Sequence, residues 1–364
     1  MNRNDWNQLS WLAQQFASAE VTEKEISAIG QAPDGPILPA HTVSVNAVSD
    51  TWLDWSLVGV HNNEPVTQYT KSAGDGNISI CCSYFDKRSY GRSTIIRPLV
   101  NVIATVPDHE IDRNTVQYVG HDHHRPYYWW QNTGKTAQRT DERTLIAYDQ
   151  PVLMGKELRA FFINEEGCVI CDESAWDGHR NVNRVFAFDP STKKSTVLCS
   201  DCTHNQLVQT KIGLVGVLES KSGAMHVIEE GESRYYNVRS FDHVAFNTVH
   251  KVDEPIMMLT QLGSSVRQHE GRGRLGPEFT LPRRYSLGHI YTTFKHGGKA
   301  RQFIEVKRPH GKVSVVVSSQ INCKEEDLLP GAFDAVTAPH EDNGDWYYWA
   351  QSGRFLLKLK IPAP

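Results

Sequence analysis

The feature that most limits how this chain can fold begins near residue 41. From there to the C-terminus it alternates short β-prone runs with turn residues. TVSVNAV (42–48), NISICCSYF (77–85), VNVIATV (100–106), NRVFAFD (183–189), AMHVIEE (224–230) and KVSVVVSS (312–319) combine period-two alternation with β-branched and aromatic residues. AGDGN (73–77), NTGK (132–135), DPSTKK (189–194), SKSG (220–223), EEGES (229–233) and RPHGK (308–312) supply turn chemistry between such runs. No second long helical period follows the N-terminal segment, so alternating β-α architectures are excluded.

The strands group into units of about 40–55 residues with three or four strands each. The unit 158–204 is the most legible. ELRAFFIN and CVICDE read as a hairpin across EEG (165–167), and NRVFAFD and STVLCSD as the next one around DPSTKK. KIGLVGVLES, AMHVIEE and SRYYNVRS repeat the plan. This pattern resembles β-propeller blades at the level of architecture. The expected fold is therefore all-β: a propeller-like repeat over 41–364 with a short N-terminal helical arm. A large sandwich or two stacked β domains would produce similar strands and stay open at this stage.

The arm covers residues 1–31. Trp6, Leu9, Ala13 and Phe16 follow helical spacing. Thr22 and Glu25 form a capping box, Val21 and Ile26 a hydrophobic staple, and Gly30 a stop. APDGPILPA (32–40) reads as a linker. The N-terminus lacks a basic region followed by an apolar run, so synthesis in the cytoplasm without a secretory signal is expected. No apolar stretch approaches the ~18 residues of a membrane span. The net charge of −4 gives no general attraction for nucleic acid.

Seven cysteines, an odd number, argue against a disulfide framework. Cys168-x-x-Cys171 and Cys199-x-x-Cys202, with 27 residues between the pairs, have the spacing of a structural Cys₄ zinc site. The blade reading opposes this locally, because residues three apart on a strand face opposite sides. Structural zinc, plain buried thiols and disulfides all remain open. Cys81, Cys82 and Cys323 lack partner spacing and read as buried small hydrophobes.

The densest polar chemistry is His121-Asp122-His123-His124-Arg125-Pro126, which abuts Tyr127-Tyr128-Trp129-Trp130. Imidazoles beside Asp and Arg can transfer protons, bind a metal or clamp an acidic sugar, while Tyr and Trp faces suit pyranose rings. In residue types alone, the segment resembles polysaccharide lyases on propeller folds, which use His, Tyr and Arg on a uronate. That resemblance implies His121, His123, His124, Arg125 and Tyr127 as the catalytic set. A polar loop leading into an ordinary aromatic strand is the alternative. Tyr347-Tyr348-Trp349-Ala350-Gln351-Ser352-Gly353 repeats the aromatic-then-glycine pattern, so Trp129, Trp130, Trp346, Tyr347 and Trp349 are candidate ligand platforms. Arg267, Arg272, Arg274, Arg283 and Arg284 cluster in a glycine-rich stretch that can meet phosphate, sulfate or an acidic partner.

P-loop, Rossmann, GxSxG and HExxH motifs are absent. The leading expectation is therefore a non-enzymatic recognition or assembly protein. It would join a partner or itself through residues 1–30, as a component of a virion or tail-like particle, or serve as a glycan-binding module. The alternative is a lyase or hydrolase acting on an acidic polysaccharide.

Overall fold

A computed structural model describes residues 39–363 apart from 91–92, 123–124, 133–142, 149, 156, 165, 177, 180, 203–204, 211–212, 220–224, 230–231, 237–242, 247–257, 271–273, 282–283, 297 and 319–327. Within 199–260 it gives the backbone alone. The expected helical arm, residues 1–31, lies outside the described residues.

Among the described residues the strands form seven antiparallel sheets in chain order, five of them four-stranded. The first holds β2 (Leu53–His61), β3 (Glu64–Gly74), β4 (Asn77–Tyr90) and β5 (Ser93–Pro107). The second holds β6 (Asn114–His121), β7 (Pro126–Asn132), β8 (Arg143–Ala147) and β9 (Gln150–Gly155). The third holds β10 (Arg159–Ile163), β11 (Val169–Trp176), β12 (Asn181–Asp189) and β13 (Lys194–Cys202). The fourth runs from β14 (Asn205–Thr210) through β15 (Gly213–Glu219) and β16 (Met225–Glu229) to β17 (Glu232–Tyr236). The fifth comprises β18 (His243–Phe246), β19 (Met258–Leu262), β20 (Ser265–Glu270) and β21 (Arg274–Thr280). The sixth has three strands, β22 (Ser286–His296), β23 (Lys299–Lys307) and β24 (Val313–Ser318).

The seventh sheet joins the two ends of the chain. β25 (Ala335–Val336) and β26 (His340–Asp342) pair with β27 (Asp345–Ser352), β27 with β28 (Phe355–Lys360), and β28 with β1 (Thr42–Ala47). First strands of neighbouring sheets touch: β2 meets β6, β6 meets β10, β10 meets β14, and β18 meets β22. β2 also meets β25 and β27, which brings the last sheet against the first. The architecture is an all-β propeller, its first six sheets each a meander of consecutive strands.

Local chemistry sets the hairpins. At the β12–β13 turn the Asp189 carboxylate accepts from Ser191 N (2.8 Å), Ser191 Oγ (2.6 Å) and Thr192 Oγ1 (2.6 Å). These donors hold its pKa down at about 2, so the turn keeps its acceptor charged. The hairpins read from 158–204 form as expected, β10 with β11 and β12 with β13.

Packing occurs in the seams between sheets, so a middle strand is buried on both faces. On β7, Tyr127 joins the seam with the third sheet, beside Leu158 and Phe186. Its neighbour Tyr128 joins the seam with the first sheet, beside Tyr84 and Cys82. On β27, Tyr348 packs toward Phe303 of the sixth sheet and Trp349 toward Leu57 of the first. Side chains also tie the seams by hydrogen bonds. Gln351 on β27 accepts from Leu57 N (2.9 Å) and donates to Trp55 O (3.2 Å). Gln261 on β19 does the same at the entry to β22, with Leu287 N (2.8 Å) and Tyr285 O (2.7 Å). Gln68 on β3 donates to Val116 O on β6 (3.0 Å).

Each of these glutamines occupies the second strand of its sheet and reaches the first strand of the next. Gln351→Leu would leave a buried N–H and a carbonyl without partners, at a cost of about 1–3 kcal/mol each. Urea unfolding should show that loss of stability, with an unchanged far-ultraviolet circular dichroism spectrum.

Candidate functional site

The turns between first and second strands carry the chain's densest polar chemistry on one rim. In the second sheet this turn is His121 to Arg125, with His123 and His124 outside the described residues. Asp122 organises it. Its carboxylate accepts from Arg125 N (2.6 Å), Arg125 Nε (3.2 Å) and the Tyr127 hydroxyl (3.0 Å). The Arg125 guanidinium lies 5.9 Å from the Tyr127 ring centroid and is half exposed. Burial and the bond to Asp122 push the Tyr127 phenol well above its usual range. Tyr127 is therefore a hydrogen-bond donor here and a poor proton acceptor.

His121 is also engaged. Nδ1 meets the Tyr118 hydroxyl, and its ring stacks on His61 from the first sheet, with centroids 3.8 Å apart and planes 11° apart. Tyr84 packs edge-on against it at 4.5 Å. Burial first, then the neighbouring His61, pushes the His121 pKa down to about 2. Burial lowers His61 as well, against Asp86 and Asp122, which favour its charged form. The pair is thus two neutral imidazoles at neutral pH. The sheets approach closely here: a Cβ added at Gly59 would lie 2.9 Å from Tyr118 Cε1.

His61 was not among the sequence candidates. HNNE (61–64) lacks the density of HDHHRP, and its stacking partner is 60 positions away. The available signal is positional: His61, His121 and His340 each lie on a first strand near its turn. The rim continues into the seventh sheet. Asn63 Nδ2 donates to Glu341 O (2.9 Å), and Trp349 Nε1 donates to Asn63 O (3.0 Å). Glu64 begins β3 beside these groups, and burial raises its pKa to about 7, with Lys358 opposing the shift and Asp342 adding to it. Lys358 Nζ lies 3.3 Å from Asp342 and 4.8 Å from the Tyr347 ring centroid.

The aromatic candidates divide by burial. Trp129 (8% exposed) and Trp349 (1%) are packed in seams. Trp129 Nε1 donates to Leu158 O (2.7 Å), tying the second sheet to the third. Trp130 is half-buried and donates to Asn114 Oδ1 (3.0 Å). Trp346 and Tyr347 are partly buried on β27, with Trp346 against the seventh-sheet core. β7 and β27 are both second strands, which accounts for their matching aromatic pattern.

The arginine stretch does not join this rim. Arg267 on β20 is ion-paired with Glu278 on β21, and Arg284 is exposed between the fifth and sixth sheets. Arg274 starts β21, while Arg272 and Arg283 lie outside the described residues. The fifth sheet contacts the sixth through β18 and β22, whereas the rim histidines sit where the first sheet meets the second.

Cys168 directly precedes β11, and Cys171 lies within it, buried against Leu145 and Phe186. Burial and the adjacent acidic residues Asp172 and Glu173 push the Cys171 thiol well above its usual range. Cys199 and Cys202 lie on β13, with β12 between the two pairs. Two strand spacings place these backbones ~9–10 Å apart, whereas tetrahedral zinc holds each sulfur at ~2.3 Å. Among the described residues no cluster of three or more His, Cys, Asp or Glu is placed to hold a metal ion.

No family model matches the chain, and no curated protein sequence matches it. Solved structures similar to it include BBS1N in complex with ARL6DN, at 12% identity, 86% of this chain, 98% of that chain and a TM-score of 0.40. The β-propeller domain of the Trilobed protease from Pyrococcus furiosus is similar at 10% identity, 84% of this chain, 94% of that chain and a TM-score of 0.48. The polysaccharide lyase Uly1 is similar at 8% identity, 84% of this chain, 90% of that chain and a TM-score of 0.45. The likeness is one of fold alone.

Two measurements follow from this geometry. With β12 between the cysteine pairs, elemental analysis of the purified protein should find far less than one zinc per chain; one equivalent would require the third sheet to rearrange. The second concerns pH. His121 has a folded pKa below its unfolded value, so the unfolded chain binds more protons between about pH 6.5 and pH 2. Stability must then fall as pH falls through that window, by up to about 1.4 kcal/mol per pH unit. Glu64, raised to about 7, contributes with the opposite sign. The difference between wild type and His121→Phe isolates the histidine, and the variant's urea midpoint should fall less steeply from pH 6.5 to pH 4.

Proposed function

We propose that this chain is a recognition scaffold that engages a protein partner through the rim formed by its seventh, first and second sheets. The fixed pose of Arg125 supports this reading most directly. Asp122 and Tyr127 hold its guanidinium on one side through Nε and one NH2 group, and the side chain is half exposed. A pre-oriented guanidinium suits a carboxylate on a partner, because little side-chain entropy is lost when the pair forms. A glycan module and a component of a larger particle are narrower forms of the same reading.

Acid–base catalysis on a uronate is the competing reading, and it asks more of the same residues. A catalytic base works best with a pKa near the operating pH. Burial holds the His121 pKa down at about 2, and the Tyr127 phenol keeps its proton and donates a hydrogen bond to Asp122. Both observations favour recognition over lyase chemistry.

An oligoglutamate peptide on a biosensor surface tests the proposal. Wild-type protein should bind in a salt-dependent manner, and Arg125→Ala should weaken binding by roughly tenfold, as for a charge-assisted hydrogen bond. Equal binding by the two proteins would overturn the role of Arg125. A panel of uronate polymers should give a flat ultraviolet trace; appearance of unsaturated product, abolished in His121→Ala, would replace recognition with catalysis.

A further inference from the structure

β4 and β5 outrun the rest of the first sheet. The β3–β4 ladder ends with Thr67 opposite Ser83, and β3 itself starts at Glu64. Counted on in that register, Glu64 comes level with Asp86. β4 nevertheless runs on to Tyr90, and it pairs with β5 throughout, from Asp86 opposite Arg97 to Tyr90 opposite Ser93. The two strands thus continue as a ribbon past the turn between His61 and Glu64. Among the described residues no strand pairs with β4 beyond that level on the side that β3 occupies below. A strand edge left in this way keeps the N–H and C=O of every second residue outward.

Positive charge gathers on the same ribbon. From Asp86 to Arg97 the sequence holds Lys87, Arg88, Arg92 and Arg97 against the single acid Asp86, in a chain of net charge −4. Lys87 and Arg97 are exposed, and Ile95 is 46% exposed. Ile95 and Arg97, two positions apart, share one face of the ribbon, and Lys87, opposite Ile96 in register, belongs to the other. Lys87 lies near enough to Glu64 to favour its charged form, which sets the base of the ribbon against the rim.

We propose that this edge takes an extended acidic segment of a protein partner as an added strand beside Lys87 to Tyr90. The inference deepens the reading of the rim as a protein-binding surface and rests on it. Main-chain hydrogen bonds to β4 would hold the segment, as in other cases where a peptide extends a sheet. Its carboxylates would come beside Lys87 on one face and Arg88 on the other. Ile95, opposite Arg88 in register, adds apolar surface to the second face. Two other occupants suit the edge less well. A nucleic acid duplex carries a charge every ~1.7 Å, and its phosphates would meet Glu64, Asp86 and Asp342 around the ribbon's base. A second copy of the same edge would set Lys87 and Arg88 against like charges, a device that keeps edge strands apart.

Calorimetric titration of the full-length protein tests the proposal with two short peptides. One repeats Glu-Glu-Val, which puts acids on both faces of a strand; the other is the same peptide N-methylated at every residue, with equal charge and no N–H. The first should bind, and the second at least about tenfold more weakly, because the main-chain bonds are lost. Lys87→Glu should weaken the first peptide by about tenfold or more, as for a lost charge-assisted bond. Should Lys87→Glu disturb the neighbouring Glu64, Arg97→Glu, on the opposite face, should show a loss of the same kind. Arg125→Ala should bind the peptide fully, so the ribbon and the Arg125 contact fail separately. Equal binding of the two peptides would overturn strand addition, and unchanged binding by both charge-reversal variants would overturn the ribbon as the site. Absence of peptide binding would overturn the proposal outright. So would tighter binding of a DNA duplex that Lys87→Glu abolishes, or a concentration-dependent dimer lost in Lys87→Glu, which would give the edge to another occupant.

Discussion

The pairing of β1 with β28 is the constraint on which the rest depends. In this chain the first and last segments share one sheet, which fastens the ring: Thr42 to Ala47 pair with Leu359 to Phe355, with one register shift between Thr42 and Ser44. Backbone bonds extend the junction at both ends, from Lys360 N to His41 O (2.9 Å) and from Val48 N to Arg354 O (2.9 Å). β1 and the residue that follows it then serve two seams at once. Val45 enters the core shared with the sixth sheet, and Val48 packs with Trp52, Tyr69 and Cys81 of the first. An open ring would leave two sheet faces exposed to water and two strand edges unpaired.

Stacking sheet on sheet buries middle strands such as β7 and β27 on both faces, and this decides which side chains remain free for chemistry. A strand in a sandwich keeps one wet face; a middle strand of a propeller sheet keeps none. Consecutive aromatics such as Tyr127-Tyr128 and Tyr348-Trp349 therefore serve as core in two different seams. Polar chemistry is displaced to the turns at the rims and to the few amides that cross a seam. His61 and His121 meet because their first strands stand side by side, and the stack is part of the packing between two sheets.

Much of this was legible because it is local. The β10–β11 and β12–β13 hairpins follow from turn residues within a few positions of each other, as the three bonds to Asp189 illustrate. The kinship of the 127–130 and 347–350 segments was also visible, since both carry the pattern of a second strand. Its meaning was not, because a ring that binds a ligand and a ring that fills a seam share one sequence signature. CxxC spacing is ambiguous for a related reason: spacing along the chain says nothing of β12, which the fold inserts between the two pairs.

The sequence by itself determined the strands, their turns and their grouping into units of three or four, because period-two alternation and turn chemistry act over a few residues. Only the tertiary structure decided which residues share a site. Closing the ring brings Asn63 to Glu341 and Trp349. It also separates the arginine stretch of the fifth sheet from the histidines of the first and second. Those relations are set by which seam each face enters, a property of the closed ring that no local stretch of sequence encodes.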